Sequence, residues 1–372
     1  MIQWILYTIH DLLRPVQSAK FFSDMANLFS YVTFRTAVTA ATAFILSLFL
    51  GPWLIRTLRR LNMGQHIREE GPEHHITKGG TPTMGGLLVV GVIVISTLLW
   101  CKLESGHIWV ALLSLVGFAA VGAIDDAQKL LKKNNKGLGA LIKLLALTVI
   151  SLLVAALILY FGLRGEETSR LAVPFFKNWR PDVGAFLIPW IWLVMVGTSN
   201  AVNLTDGLDG LATGGILIVS ATFAVLAYVA GHIGMANYLF VPFVSGASEL
   251  AVFLGAMAGA SLGFLWFNAH PAEVFMGDTG SLSLGGALGT AAILIHQELL
   301  LMIAGGLFVW EALSVIIQVG SYKLRHGKRI FKMAPFHHHM ELSGLKETKV
   351  VMRLWIVAIV CSILALSSLK LR

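Results

Sequence analysis

Residues 108–126 read IWVALLSLVGFAAVGAIDD, an uncharged apolar run closed by the adjacent acids Asp125 and Asp126. A hydrocarbon core about 30 Å thick takes roughly 20 apolar residues of helix. A run of this length ending on two carboxylates therefore reads as a membrane span whose last turn meets water. Similar segments recur at about 33–55, 82–101, 140–162, 184–200, 211–230, 248–267, 281–297, 299–320 and 350–369, which with 108–125 makes ten. The fold class implied is all-α, a polytopic integral membrane protein forming a single transmembrane domain over residues 1–372.

Composition excludes the alternatives. The 372-residue chain is 56% hydrophobic and 13% charged, with a mean hydropathy of +0.77, whereas a soluble domain is roughly 45–50% apolar and about 25% charged. Cys101 and Cys361 are too few for a disulfide framework. In the N-terminal segment, residues 1–30, Asp11 and Arg14 follow the apolar run Trp4 to Ile9 and no small-residue cleavage site closes it. That order predicts an interfacial helix on the periplasmic side and not a cleaved signal. Gly255, Gly259 and Gly263, at steps of four, predict close backbone contact in the seventh span. Pro189 is expected to kink the fifth, and residues 231–248 have room for a re-entrant piece.

Ten crossings put both termini on one side. Loops 56–80, 126–143 and 321–353 carry 18 of the 28 Lys and Arg residues. The positive-inside rule makes those loops cytoplasmic and both termini periplasmic. The net charge of +8 then reports orientation, and no nucleic acid is needed to explain it.

Only eight aspartates occur, and five of them, Asp125, Asp126, Asp206, Asp209 and Asp278, fall at cytoplasmic ends of apolar segments. Carboxylates near hydrocarbon are costly and mark functional sites by default. Asp206 and Asp209 precede the sixth span and Asp278 the eighth, so helix capping is a competing explanation for these three. Asp125 and Asp126 end the third span, where the helix dipole disfavours negative charge, so capping does not explain the pair. Two carboxylates 4 Å apart repel by about 4 kcal/mol at an effective dielectric of 20. Gathering five therefore calls for positive charge: a hard divalent cation suits oxygen-only ligands. Lys129, Lys132, Lys133 and Lys136 follow the Asp pair, with Lys78 and Arg325 to Lys332 on the same face. Acids for a metal and bases for phosphate point to phosphoryl transfer.

Three further segments lie on that face. Thr77 to Gly86, TKGGTPTMGG, is Gly-rich but lacks the order of a P-loop; its glycines serve either close approach to a ligand or a turn into the helix. Asn200 to Gly210, NAVNLTDGLDG, spaces amides and carboxylates for a sugar, a base edge or a metal. Pro335 to Glu341, PFHHHME, carries three consecutive histidines. Adjacent rings diverge and no Cys completes a tetrahedral zinc site, so the imidazoles suit hydrogen bonding to pyrophosphate or proton transfer. Asn268 and Phe275 fall in the short loop before Asp278, where an aromatic ring can stack on a nucleobase.

Together, Lys78 to Gly86, Asp125-Asp126, Asn200 to Gly210, Phe275 to Ser281 and Pro335 to Glu341, in this order, resemble the bacterial phospho-N-acetylmuramoyl-pentapeptide transferases of the polyprenyl-phosphate N-acetylhexosamine-1-phosphate transferase superfamily. The resemblance runs from about residue 30 to the C-terminus. It implies an enzyme of the bacterial inner membrane with its site on the cytoplasmic face, moving phospho-MurNAc-pentapeptide from UDP-MurNAc-pentapeptide to undecaprenyl phosphate with Mg²⁺, and yielding lipid I and UMP. A homodimer is also implied. By motif position, Asp278 matches the Mg²⁺ ligand, Asp125 the base for the lipid phosphate, and Asp126 a support for metal or phosphate. Lys78, Asp209 and Phe275 match the uracil pocket. Thr83, Asn203, Asp206 and Gly277 match the surrounding nucleoside surface, and His337 and His338 the pyrophosphate side. Asn268, Lys129 and Lys133 complete the expected substrate contacts. The rival readings are a related transferase using a different UDP-sugar and an ion-coupled transporter, against which the one-sided placement of the acids argues.

Overall fold

The computed structural model describes residues 27–61, 80–132, 137–165, 167–176 and 179–370. Most of them are helical, and the only extended pairing among them is an isolated bridge between Arg170 and Asp182. Among the described residues, eight helices are long and apolar enough to cross a membrane. They are α1 (Val32–Arg60), α3 (Gly106–Leu131), α4 (Ala140–Tyr160), α5 (Leu187–Thr205, preceded by a 3₁₀ turn), α6 (Leu211–Ala230), α8 (Glu249–Asn268), α11 (Gly306–Leu324) and α13 (Glu347–Ser367). Between them come the shorter apolar α2 (Gly86–Trp100), the short α7 (Ile233–Leu239), α9 (Gly277–Leu294), α10 (Glu298–Ala304) and α12 (Phe336–Glu341).

Two helices form the centre. α9 is enclosed from Thr279 to Leu294, and α8 is buried along most of its length. α3 and α5 pack on α9, and α1 and α6 on α8. α9 has no outward apolar stripe past its first turn because it is surrounded by protein, α8 exposes only Leu262 and Trp266 among its large apolar residues, and α4 and α13 expose Leu145, Val149, Ile356 and Ile363 where lipid would lie.

Small residues set these contacts. The stripe Gly255, Gly259 and Gly263 lies on α1: a Cβ at Gly255 would be 2.9 Å from the Thr36 carbonyl, one at Gly259 would enter the backbone of Ala40, and one at Gly263 would meet Phe44 O at 2.9 Å. On the other side, Gly86 of α2 crosses Gly280 of α9 backbone to backbone, and Gly122 of α3 lies against the Asp278 carbonyl. Helices approach this closely in lipid only where side chains are absent.

Several expected boundaries move. α3 does not stop at residue 125 but continues to Leu131. The eighth span begins at Gly277, four residues early, because its first turn has a partner in α3, described below. The ninth divides at Gly305 into α10 and α11, the second part reaching Leu324. Pro189 does not kink α5. It is the third residue of that helix, where the missing N–H is one that has no intrahelical acceptor anyway. Residues 231–248 hold the short helix α7, ended by Phe240 at φ 57°. The N-terminal helix expected within residues 1–30 falls mostly on positions 1–26, outside the described residues.

Two buried ion pairs brace the end of the bundle opposite the aspartates. Arg35 of α1 makes a bidentate contact with Glu249 of α8, at 2.7 and 2.6 Å, and also donates to Trp100 O at the end of α2. Arg164, just past α4, pairs with Glu298 and donates to His296 Nδ1 at 2.8 Å and to the carbonyls of Thr168 and Arg170.

Candidate active site

The close crossing at Gly122 places the Asp pair of α3 on the first turn of α9. Asp126 Oδ1 accepts from Asp278 N at 3.2 Å, and its Oδ2 accepts from Thr279 N at 2.9 Å and Thr279 Oγ1 at 2.8 Å. Asp126 thus caps a helix after all, but a neighbouring one, and its charge sits at the favourable N-terminal end of the α9 dipole. The capping alternative fails for the other three. Asp206 terminates α5, the residue before α6 is Gly210 at φ 77°, and Asp278 sits inside the first turn of α9 without a side-chain cap.

Asp125, Asp126 and Asp278 have carboxylate oxygens within 4.8 Å of one another. Because α3 continues past the pair, Lys129 returns on the same face one turn later. Its Nζ lies 2.6 Å from Asp125, 3.5 Å from Asp126 and 3.1 Å from Asp278. Lys143, in the first turn of α4, bonds to Asp278 Oδ2 and lies 3.9 Å from Asp125. Leu138 N closes the other side of Asp125 at 2.8 Å. Asn203, one turn from the end of α5, donates to Asp278 Oδ1 at 3.0 Å and to Ser281 Oγ at 2.8 Å. Gly277, at φ 73°, leaves space that a Cβ would fill 2.7 Å from Asp126 and 3.0 Å from Thr83 Oγ1.

Asp206 joins this edge through the amide of Gly277. Desolvation, and then the neighbouring carboxylates of Asp278, Asp126 and Asp209, push its carboxyl well above the usual aspartate range. The donor set facing Lys129 and Lys143 is oxygen only, so it fits a hard divalent cation, with Asp125 and Asp278 the more available ligands because Asp126 is engaged by α9.

The Gly-rich segment enters here as scaffold. Phe275 N donates to Pro82 O, while Gly85 N and Gly86 N donate to the carbonyls of Phe275 and Met276, each at 2.8–2.9 Å. These bonds fix the half-buried Phe275 beside Thr83 and Gly277. The turn into α2 is therefore the structural use of Gly85 and Gly86.

Asp209 belongs to a second group. It accepts from His270 Nδ1 at 3.0 Å and Ala272 N at 3.2 Å, and its own N–H donates to Glu347 at 3.0 Å. Asn268 is 2% exposed and its amide is engaged by Thr213 and Val274 O. Lys78 and Lys133 lie outside the described residues.

The three histidines do not all diverge as their adjacency predicts: the rings of His337 and His338 meet edge to face with centroids 4.2 Å apart, although each faces a different carboxylate. His337, fully buried, faces Glu311 of α11 through Nδ1 at 3.1 Å. His338 faces Glu341 at 2.9 Å, and His339 packs between Phe331 and Phe336. A Cβ on Gly207 would run into His337 Nε2, which places that ring directly under the turn after Asp206.

Lys143 and Glu311 were not singled out from the sequence, although each leaves a signal. Lys143 is the one charged residue between Ala140 and Tyr160, at a helix end whose dipole disfavours cations. Glu311 is the one charged residue between Gly306 and Tyr322, a costly placement within a span.

Comparison with known proteins agrees with this geometry. The glycosyl transferase family 4 profile matches residues 108–296, which hold the whole acidic cluster. A phospho-N-acetylmuramoyl-pentapeptide-transferase from Desulfotalea psychrophila is 52% identical over 98% of this chain and 99% of its own length. Those of Desulfosudis oleivorans and Thermodesulfovibrio yellowstonii are 52% and 48% identical over 100% of both chains. With identity of this order along its full length, the chain belongs to the phospho-N-acetylmuramoyl-pentapeptide-transferase family.

Proposed function

We propose that this membrane transferase moves phospho-MurNAc-pentapeptide from UDP-MurNAc-pentapeptide to undecaprenyl phosphate, giving lipid I and UMP, at the cytoplasmic face of a bacterial inner membrane. The observation that carries the reading is the cluster of Asp125, Asp126 and Asp278 with Lys129 and Lys143 at the ends of membrane helices. One substrate is dissolved in water and the other anchored in lipid, so the chemistry belongs where the two phases meet.

Asp278 and Asp125 would hold Mg²⁺, with Asp126 keeping the first turn of α9 in place behind them. Bound there, the ion would supply charge neutralisation for the diphosphate. In the direct route an oxygen of the lipid phosphate attacks the sugar-bearing phosphorus, the bond to UMP breaks, and Asp125 takes any proton the attacking phosphate carries. A phosphate monoester has its second pKa near about 6, so that proton is already largely absent at neutral pH. Lys129 and Lys143 screen the approaching charges. Thr83, Asn203, Asp206 and Gly277 form the nucleoside surface, Phe275, Asp209 and Lys78 hold the base, and Asn268 supports the loop that carries Phe275 from within the scaffold. His337 and His338 serve the pyrophosphate side, and Lys129 and Lys133 contact the substrate. The whole chain acts as one domain, and two copies form a homodimer.

The test is UMP release by purified protein with undecaprenyl phosphate, offering UDP-MurNAc-pentapeptide and UDP-GlcNAc separately, with Mg²⁺ and with chelator. Release is expected only from the muramoyl donor and only with the ion. Product from UDP-GlcNAc alone would transfer the protein to the related branch, and release undiminished by chelator would remove the metal.

A further inference from the structure

α11 runs on from Glu311 to Leu324, roughly 20 Å at 1.5 Å per residue, before the chain returns through residues 325–335 to set α12 back against Glu311. Gln318 holds that return in place, donating to Phe331 O at 2.9 Å and accepting from Ile330 N and Phe331 N at 3.0 Å. The fold thus brings a histidine to a carboxylate sealed inside a membrane helix. Both residues are fully buried.

A carboxylate in such a place costs more than an apolar residue of the same volume, so packing alone does not account for Glu311. Its contacts suggest what does. One oxygen, Oε2, accepts both His337 N at 3.3 Å and His337 Nδ1 at 3.1 Å, which fixes the backbone and the ring together. A carboxylate oxygen accepts, so Nδ1 is the nitrogen that carries a hydrogen toward Glu311, and Nε2 is the one left to face the site. Nε2 is buried, has no hydrogen-bond partner among the described residues, and faces Gly207, next to Asp206.

We propose that Glu311 is a positioning residue for the transfer reaction, fixing the tautomer and orientation of His337 so that Nε2 is presented beneath the Asp206–Gly207 turn at the edge of the acidic cluster. This inference rests on the transferase reading for its kinetic arm and on the geometry alone for its spectroscopic arm.

The experiment combines both on the full-length protein in detergent. Nitrogen-15 spectra of labelled histidine, assigned with His337→Gln, are expected to show His337 as the Nδ1–H tautomer. Glu311→Gln is expected to move that signal toward a tautomer mixture. It should also lower kcat for UMP release by about 10- to 100-fold, the scale seen when the outer partner of a working histidine is removed, with KM for the UDP-linked donor changed less than about threefold. Glu311→Asp should restore the tautomer and part of kcat, and Glu311→Gln/His337→Gln should be no slower than His337→Gln alone. Nδ1 without hydrogen in the unaltered protein, kcat unchanged in Glu311→Gln, or losses that multiply in the double variant would each overturn the proposal. If Glu311→Gln fails to fold, the tautomer of the unaltered protein and the Glu311→Asp kinetics decide it. Absence of UMP release from the unaltered protein would overturn the transferase reading instead, leaving the tautomer measurement to stand.

Discussion

Asp125, Asp126 and Asp278 are one residue type in three situations. Asp126 is satisfied by the amides and hydroxyl of α9, while Asp125 and Asp278 share Lys129 and Lys143. Removing charge from Asp278 leaves its hydrogen bond from Asn203 replaceable but deprives a cation of its most open ligand. Asp278→Asn is therefore expected to lose about 10²-fold or more in UMP release, about 3 kcal/mol of barrier, with the melting temperature in detergent nearly unchanged. Near-normal turnover at saturating Mg²⁺ would show that the carboxylate is not a ligand.

At the scale of elements, the site exists because helices cross without side chains between them. Gly122 lets α3 lie on the start of α9, and Gly86 lets α2 cross the same helix at Gly280. A methyl at residue 122 would press on the Asp278 carbonyl and force backbone to move, an overpacking cost of about 1–3 kcal/mol. Gly122→Ala should consequently lower both the melting temperature and UMP release. Gly91→Ala, in α2 with open space around it, should leave both within error. Equal behaviour of the two variants would mean that the crossing does not set the geometry of the acids.

For the whole molecule, the arrangement is polarised. Acids and lysines gather at one end of the bundle, and the Arg35–Glu249 and Arg164–Glu298 pairs brace the other. The basic loop after α11 belongs with the acids and the 163–183 loop with the braces. A membrane-impermeant maleimide applied to sealed vesicles of known orientation should label Lys328→Cys only from the cytoplasmic side and Trp179→Cys only from the other. Both positions are exposed and the native Cys101 is buried, with Cys361 within α13, so the background is low. Labelling of both variants from one side would refute the topology.

The sequence by itself determined the membrane-spanning all-helical class, the gathering of aspartates at segment ends and the glycine stripe on α8, because apolar length and residue spacing along one helix are local properties. Only the tertiary structure decided that Asp126 caps α9, that Lys143 reaches Asp278, that Asn268 is held inside the scaffold and that Glu311 orients His337. The partners of those contacts lie 153, 135, 55 and 26 residues apart in the chain. A hydrogen bond across such a separation depends on which helices cross and how closely, and that is fixed by packing in three dimensions, which no periodicity along the chain records.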